Sequence, residues 1–255
     1  MIVCWFSCGA ASAVATKFAI EKYGIENIRI VNNPVVTEHP DNKRFMKSCE
    51  KWFGKQIEIA INPCYKSCNP EDVWNDYRIM SMPRFAPCSR ELKQYARRQW
   101  EHDNNFNNKK DIIVMGFTSE EENRINRFKE KHKEYNLDPI LLEKGFTKQM
   151  CWDYINNADI AVPKMYLMGY DNANCIGCVY GGIGYWQKIK KDFPEIFDRR
   201  AKLSRQLGCK LLDLGKNKEP RHRFLDELTD DMKGTEPKGF DCGIFCASEI
   251  TDKGV

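Results

Sequence analysis

The apolar positions of this chain fall into two alternating patterns. Residues 2–6 (IVCWF) form a short continuous apolar run. Six small residues follow, and Val14, Ala15, Phe18 and Ala19 then recur at helical spacing. A second apolar run covers 28–31. Pro40 and Asp41 open a helix that places Phe45, Cys49, Trp52 and Phe53 on one face. Further runs lie at 57–61 and at 111–116 (DIIVMG). Between these two, residues 89–100 carry Leu92, Tyr95, Ala96 and Trp100 at helical spacing. Continuous apolar strands alternating with amphipathic helices predict an α/β fold. Its sheet is doubly wound and mostly parallel, with helices on both faces.

Beyond about residue 140 the pattern turns helical, with predicted helices at 147–157, 185–192 and 194–207. A turn-rich stretch, DNANCIGCVYGGIG, occupies 171–184, and the C-terminal part is polar apart from DCGIFC at 241–246. The expected organisation is a nucleotide-type α/β domain over 1–140 and a helical, cysteine-bearing cap over 141–255, packed on it as one unit.

Composition narrows the function classes. The 255 residues suffice for a substantial core, and 42% hydrophobic with 12% aromatic residues excludes a disordered chain. No stretch approaches the roughly 18 apolar residues of a membrane helix. The net charge of +4 is too mild to argue for a nucleic-acid partner by itself. The N-terminal apolar stretch lacks a basic flank and is interrupted by Lys17, so a cytoplasmic protein is expected. Twelve cysteines then matter, because cytosolic thiols stay reduced. They are either core thiols or part of a metal or redox site.

Two segments carry candidate chemistry. Ser7, Cys8, Gly9, Ala10, Ala11 and Ser12 lie between a predicted strand and a predicted helix. Backbone amides of such a loop, aided by the helix dipole, suit an anion; the alternative is a βα turn packed with small residues. The second segment is Cys175-x-x-Cys178, in a turn supplied by Asn172, Asn174, Gly177, Gly181, Gly182 and Gly184. Such a turn allows two thiolates to converge on one metal or cluster, although the pair by itself needs partners to make a site. Cys88, with Cys242 or Cys246, would complete a four-sulfur set, which favours iron–sulfur or zinc over hard cations. The remaining cysteines (Cys4, Cys8, Cys49, Cys64, Cys68, Cys151 and Cys209) read mostly as core or surface, with Cys64 and Cys68 as an open alternative redox pair. Arg90 and Lys93 are candidates for phosphate or sulfate contact, against a solvated helix face.

The strand–S-x-G-x-x-S–helix start resembles the PP-loop of the adenine nucleotide alpha-hydrolase-like superfamily. Later segments are similar in order: TEHPD at 37–41, PCSRELK at 87–93, and GFTSE at 116–120 followed by Arg124 and Arg127. DCGI at 241–244 resembles the C-terminal ECGL of sulfonucleotide reductases. Taken together, the chain is similar to the phosphoadenosine phosphosulfate (PAPS) reductase-like proteins of phages and bacteria.

The resemblance implies an adenine nucleotide (PAPS, APS or ATP) held by residues 7–12 with Gly116 and Arg124. Arg90, Lys93 and Arg127 would reach its phosphate or sulfate. It further implies a [4Fe–4S] cluster, or alternatively zinc, on Cys88, Cys175, Cys178 and Cys246. Cys242 is then the nucleophile of an oxidoreductase that uses an external thiol or sulfur-donor protein. Ser89 stands where cluster-bearing reductases carry a second cysteine. Ala11 stands where ATP-cleaving members carry an aspartate, and Thr118 and Ser119 where the reductases carry arginines. Two alternatives follow: an ATP-dependent sulfurtransferase thiolating a nucleic acid, and a catalytically reduced nucleotide-binding module.

Overall fold

The computed structural model describes residues 1–82, 85–234 and 244–245. Cys242 and Cys246, the expected nucleophile and ligand, lie outside the described residues. The chain divides into two compact units. One contains Met1–Pro34, His39–Ile61 and Arg97–Ala173; the other contains Val35–Glu38, Asn62–Ala96 and the described residues from Asn174 onward.

The first unit is built on a five-stranded parallel sheet in the order β3-β2-β1-β4-β5. Its strands are β1 (Ile2–Trp5), β2 (Ile28–Asn32), β3 (Glu58–Ile59), β4 (Ile112–Val114) and β5 (Asn136–Asp138). β1 lies at the centre, pairing Ile2 with Ile28 on one side and with Ile112 on the other. Burial on both faces explains its unbroken apolar run: Val3, Cys4 and Trp5 are all buried. Helix α1 (Ala10–Tyr23) owes its small residues to a similar constraint, since Ala10, Ala13, Val14, Ala15 and Ala19 are at most 1% exposed. Phe45, Cys49 and Phe53 of α2 (Asp41–Phe53) join the same core, as the predicted face requires. Each such aromatic contributes about 1.5–3 kcal/mol through burial.

The sequence predicts four strands; β5 adds a fifth. Only Leu137 in it is apolar, so neither alternation nor a run announces it. It forms by pairing with β4, Ile113 opposite Leu137. The carboxylate of Asp138 is then anchored on α1, accepting from Lys22 Nζ at 2.9 Å and Tyr23 Oη at 2.7 Å.

The second unit is largely helical. Helix α3 (Pro70–Tyr77) starts at Asn69, whose side chain accepts from the Glu71 amide at 3.1 Å, with proline in the first turn. Pro87–Ser89 forms a single helical turn that widens into a π-helical segment at Arg90–Tyr95. Ile183–Asp192 and Pro194–Gln206 are the longer helices, and Leu212–Asp213 pairs antiparallel with His222–Arg223. Trp74, Met80, Ala86, Val179, Leu203 and Cys209 form one of its buried clusters. Among the described residues, no helix is long and apolar enough to cross a membrane.

Candidate functional site

In an open α/β sheet, ligands bind beyond the carboxyl ends of the strands where the strand order reverses. Here the chain runs from β1 outward to β2 and β3, then returns to build β4 and β5 on the other side. The reversal therefore lies between β1 and β4. The loops that leave these strands are residues 7–12 and the segment beginning at Gly116.

The 7–12 loop is held by its own hydroxyls. Ser12 Oγ accepts from the Ser7 amide at 3.1 Å and the Ser7 hydroxyl at 3.2 Å, and it donates to Gly9 O at 2.9 Å. Cys8 adopts the left-handed region (φ +57°), which is strained for a residue with a side chain. Its sulfur accepts from Asn32 Nδ2 at 3.7 Å, and the same amide donates to Phe6 O at 2.7 Å. The Tyr166 hydroxyl accepts from the first helical amide, Ala10 N–H, at 3.3 Å. No acidic side chain stands in the first turn of α1, so nothing there neutralises the positive helix end. Gly116 closes the arrangement. A Cβ at this position would meet Ser12 N at 2.4 Å and Ala11 C at 2.7 Å, so the two loops are in backbone contact and only glycine fits.

The expected arginines have defined partners. Arg124 donates to Glu121 Oε1 at 2.7 Å and stacks over Phe117 at 4.6 Å. Arg127 is exposed and donates to the Asn123 carbonyl at 3.3 Å. Thr118 forms a capping box with Glu121, so this stretch starts a helix. In the second unit, Arg90 donates to Tyr95 Oη at 2.8 Å and packs over its ring.

Three expected thiols come together in the second unit. Cys88, Cys175 and Cys178 line one cleft with Val35, Leu92, Lys93 and Val179. The Cys175 turn is pinned at two levels. Glu38 and Cys175 form an antiparallel bridge, and Ile176 N–H donates to Thr37 O at 2.8 Å. The buried Tyr185 hydroxyl accepts from Gly177 N at 2.9 Å and Cys178 N at 3.0 Å, and it donates to Cys175 O at 3.0 Å. Burial, with the nearby cysteines, pushes the Tyr185 phenol up, keeping it protonated as that donor. Gly177 has φ +72°, and a Cβ there would press on Ile196 and Arg200 at 3.2 Å.

The cleft has an unfinished polar lining. Ser89 Oγ, Trp74 Nε1 and Thr37 Oγ1 are buried and find no hydrogen-bond partner among the described residues. All three residues line this cleft. Buried polar groups are normally paired, so each of these atoms calls for a partner. An all-sulfur donor set suits a soft metal or an iron–sulfur cluster. Among the described residues no group of three or more His, Cys, Asp or Glu side chains is placed to hold a single metal ion. A cluster spreads its thiolates over several metal atoms, and the three cysteines of the cleft suit that group by ligand type.

The sequence reading did not single out Tyr166, Asn32, Tyr185 or Trp74. Their roles are hydrogen-bond and packing roles created by contacts distant in sequence, and none carries a local pattern. Among the other buried thiols, burial raises Cys4 and Cys49, and pushes Cys151 up to about 12. No family model matches this chain, and no curated protein matches it.

Proposed function

We propose that the protein binds an adenine nucleotide at residues 7–12 and performs thiol- and iron–sulfur-dependent sulfur chemistry, in the manner of a sulfonucleotide reductase. The convergence of Cys88 with Cys175 and Cys178 in one cleft carries this reading, because these positions are 87 apart at the nearest and share no local element. The contact between Gly116 and the Ser12 backbone at the strand-order reversal supports the nucleotide half.

In this reading the α1 amides and the Ser7 and Ser12 hydroxyls hold the phosphates. Cys88, Cys175, Cys178 and Cys246 would hold a [4Fe–4S] cluster. When bound, that cluster would supply a centre able to exchange electrons beside the thiols. Cys242 supplies the thiolate. Its sulfur attacks the sulfonyl sulfur of PAPS or APS, and the S–O bond to the nucleotide phosphate breaks with the electron pair leaving on the nucleotide. The resulting cysteine thiosulfonate is resolved by an external thiol, which attacks Cys242 Sγ, releases sulfite and forms a disulfide. The thiols supply the two electrons that reduce the sulfonyl group. Such a reaction would suit the cytoplasm, where thiols are kept reduced.

Anaerobically purified chain incubated with PAPS or APS, then digested and analysed by mass spectrometry, tests this directly. A sulfonate adduct on Cys242 that is removed by added thiol is the expected result. A Gly116→Val chain, which forces the two loops apart, is expected to lose nucleotide binding at least tenfold. Release of AMP from ATP, stimulated by a nucleic acid and without an adduct, overturns the reductase reading in favour of a sulfurtransferase. Binding without either reaction leaves a nucleotide-binding module.

A further inference from the structure

The cysteine cleft holds one feature that the thiols themselves do not explain. Ser89 is only 1% exposed, yet its hydroxyl finds no partner among the described residues. A buried helical serine ordinarily returns its hydroxyl to a carbonyl one turn back, which satisfies it locally. That bond is not made here: the Ala86 carbonyl accepts only the amides of Ser89 at 3.0 Å and Arg90 at 3.2 Å among the described residues. From Arg90 the helix opens into its π-helical segment, a device that re-aims side chains and is frequent at functional sites.

Trp74 repeats the observation from a different helix. Its indole is 2% exposed, the Arg200 guanidinium covers its ring at 4.8 Å, and its Nε1–H has no partner among the described residues. An indole nitrogen is a donor only, so nothing but an acceptor can complete it. Both residues line the cleft that Cys88, Cys175 and Cys178 share. Two buried donors from separate helices thus line the same cleft as three cysteines, and each calls for an acceptor.

We infer that Ser89 Oγ–H and Trp74 Nε1–H donate hydrogen bonds to the sulfur atoms of the thiolate-held group in this cleft, and thereby set its reduction potential. The inference rests on the iron–sulfur reading of the cleft. Hydrogen bonds to cluster sulfurs stabilise the more negatively charged reduced state, so each donor raises the potential. Ser89 and Trp74 are positioning residues rather than ligands. A hydroxyl next to Cys88 gives the site a donor where a further thiol would have competed for metal.

The test uses full-length chain reconstituted anaerobically with ferrous iron and sulfide, read by iron and sulfide content and by a spectroelectrochemical midpoint. Ser89→Ala is expected to load within twofold of the parent and to show a midpoint shifted to more negative potential. Ser89→Thr, which keeps the hydroxyl, is expected to restore it, and Trp74→Phe to shift it in the same direction as Ser89→Ala. A loaded Ser89→Ala chain with an unmoved midpoint and unchanged absorption overturns the role of Ser89 while leaving the cluster intact. Loss of iron in Ser89→Ala but not in Ser89→Thr makes Ser89 a ligand and overturns its role as a donor. If Ser89→Ala fails to fold, the midpoint of Trp74→Phe decides: a negative shift supports the donor arrangement and an unmoved value overturns it. A parent chain that takes up no iron and sulfide overturns the cluster reading itself, and with it this assignment.

Discussion

At the scale of single residues, the cysteine turn shows how one hydroxyl organises a site. Tyr185 Oη satisfies two amides and one carbonyl of the Cys175–Cys178 turn at 2.9–3.0 Å. Tyr185→Phe removes that acceptor from two amides and leaves the cavity otherwise filled. A buried donor that loses its partner costs about 1–3 kcal/mol. The expected outcome is a loss of about 2 kcal/mol, read as a lower urea midpoint at constant m-value, with the cleft thiols alkylating faster. The C-x-x-C spacing and its glycines are legible in the sequence, because two thiols on a tight turn need few intervening residues. Tyr185 is not legible, because its hydrogen bonds depend on how the Ile183–Asp192 helix packs against the turn.

At the scale of elements, periodicity is a good guide where a strand or helix buries a continuous apolar surface. β1 and α2 are in this class. It fails for β5, whose existence depends on β4 offering an edge, and for the π-helical segment at Arg90–Tyr95, which reads simply as helix in the pattern. The small hairpin of the second unit is another element of contact rather than pattern. Its Asp213 carboxylate accepts two hydrogen bonds from Arg221, at 2.8 and 2.6 Å, and one from the Gly215 amide at 2.9 Å. The Arg221 guanidinium holds Asp213 down to about 2. An ordinary aspartate titrates near about 3.9. Because the folded value lies below the unfolded one, the pair stabilises the fold above about pH 4, and that contribution is lost as the pH falls toward about 2. Asp213→Asn is therefore expected to lower stability near neutral pH and to flatten its fall between about pH 4 and 2, measured by thermal melts across that range. The pair is partly solvated, so the effect is modest.

At the scale of the whole molecule, the described cysteines range from fully buried to exposed. Cys4, Cys49 and Cys151 are buried among apolar side chains, and their thiols are raised by burial. Cys64 is exposed. Alkylation of the native protein at mildly alkaline pH is expected to modify Cys64 first and to reach Cys4, Cys49 and Cys151 only with global unfolding, as read by peptide mass spectrometry. Labelling of Cys4 at the rate of Cys64 in folded protein would contradict that partition.

The sequence alone determined the α/β class, the small-residue loop after the first strand and the Cys175–Cys178 pair. Each of these is written in local spacing, because a buried strand must be apolar throughout and a tight turn must be glycine-rich. The tertiary structure decided the rest. It set the order β3-β2-β1-β4-β5, which makes the β1 and β4 loops neighbours, and it pressed Gly116 onto the Ser12 backbone. It also brought Cys88 to the Cys175 turn with the unsatisfied donors of Ser89 and Trp74. Those relations arise from long-range packing and from which hydrogen bonds remain unmade, and no window of sequence contains them.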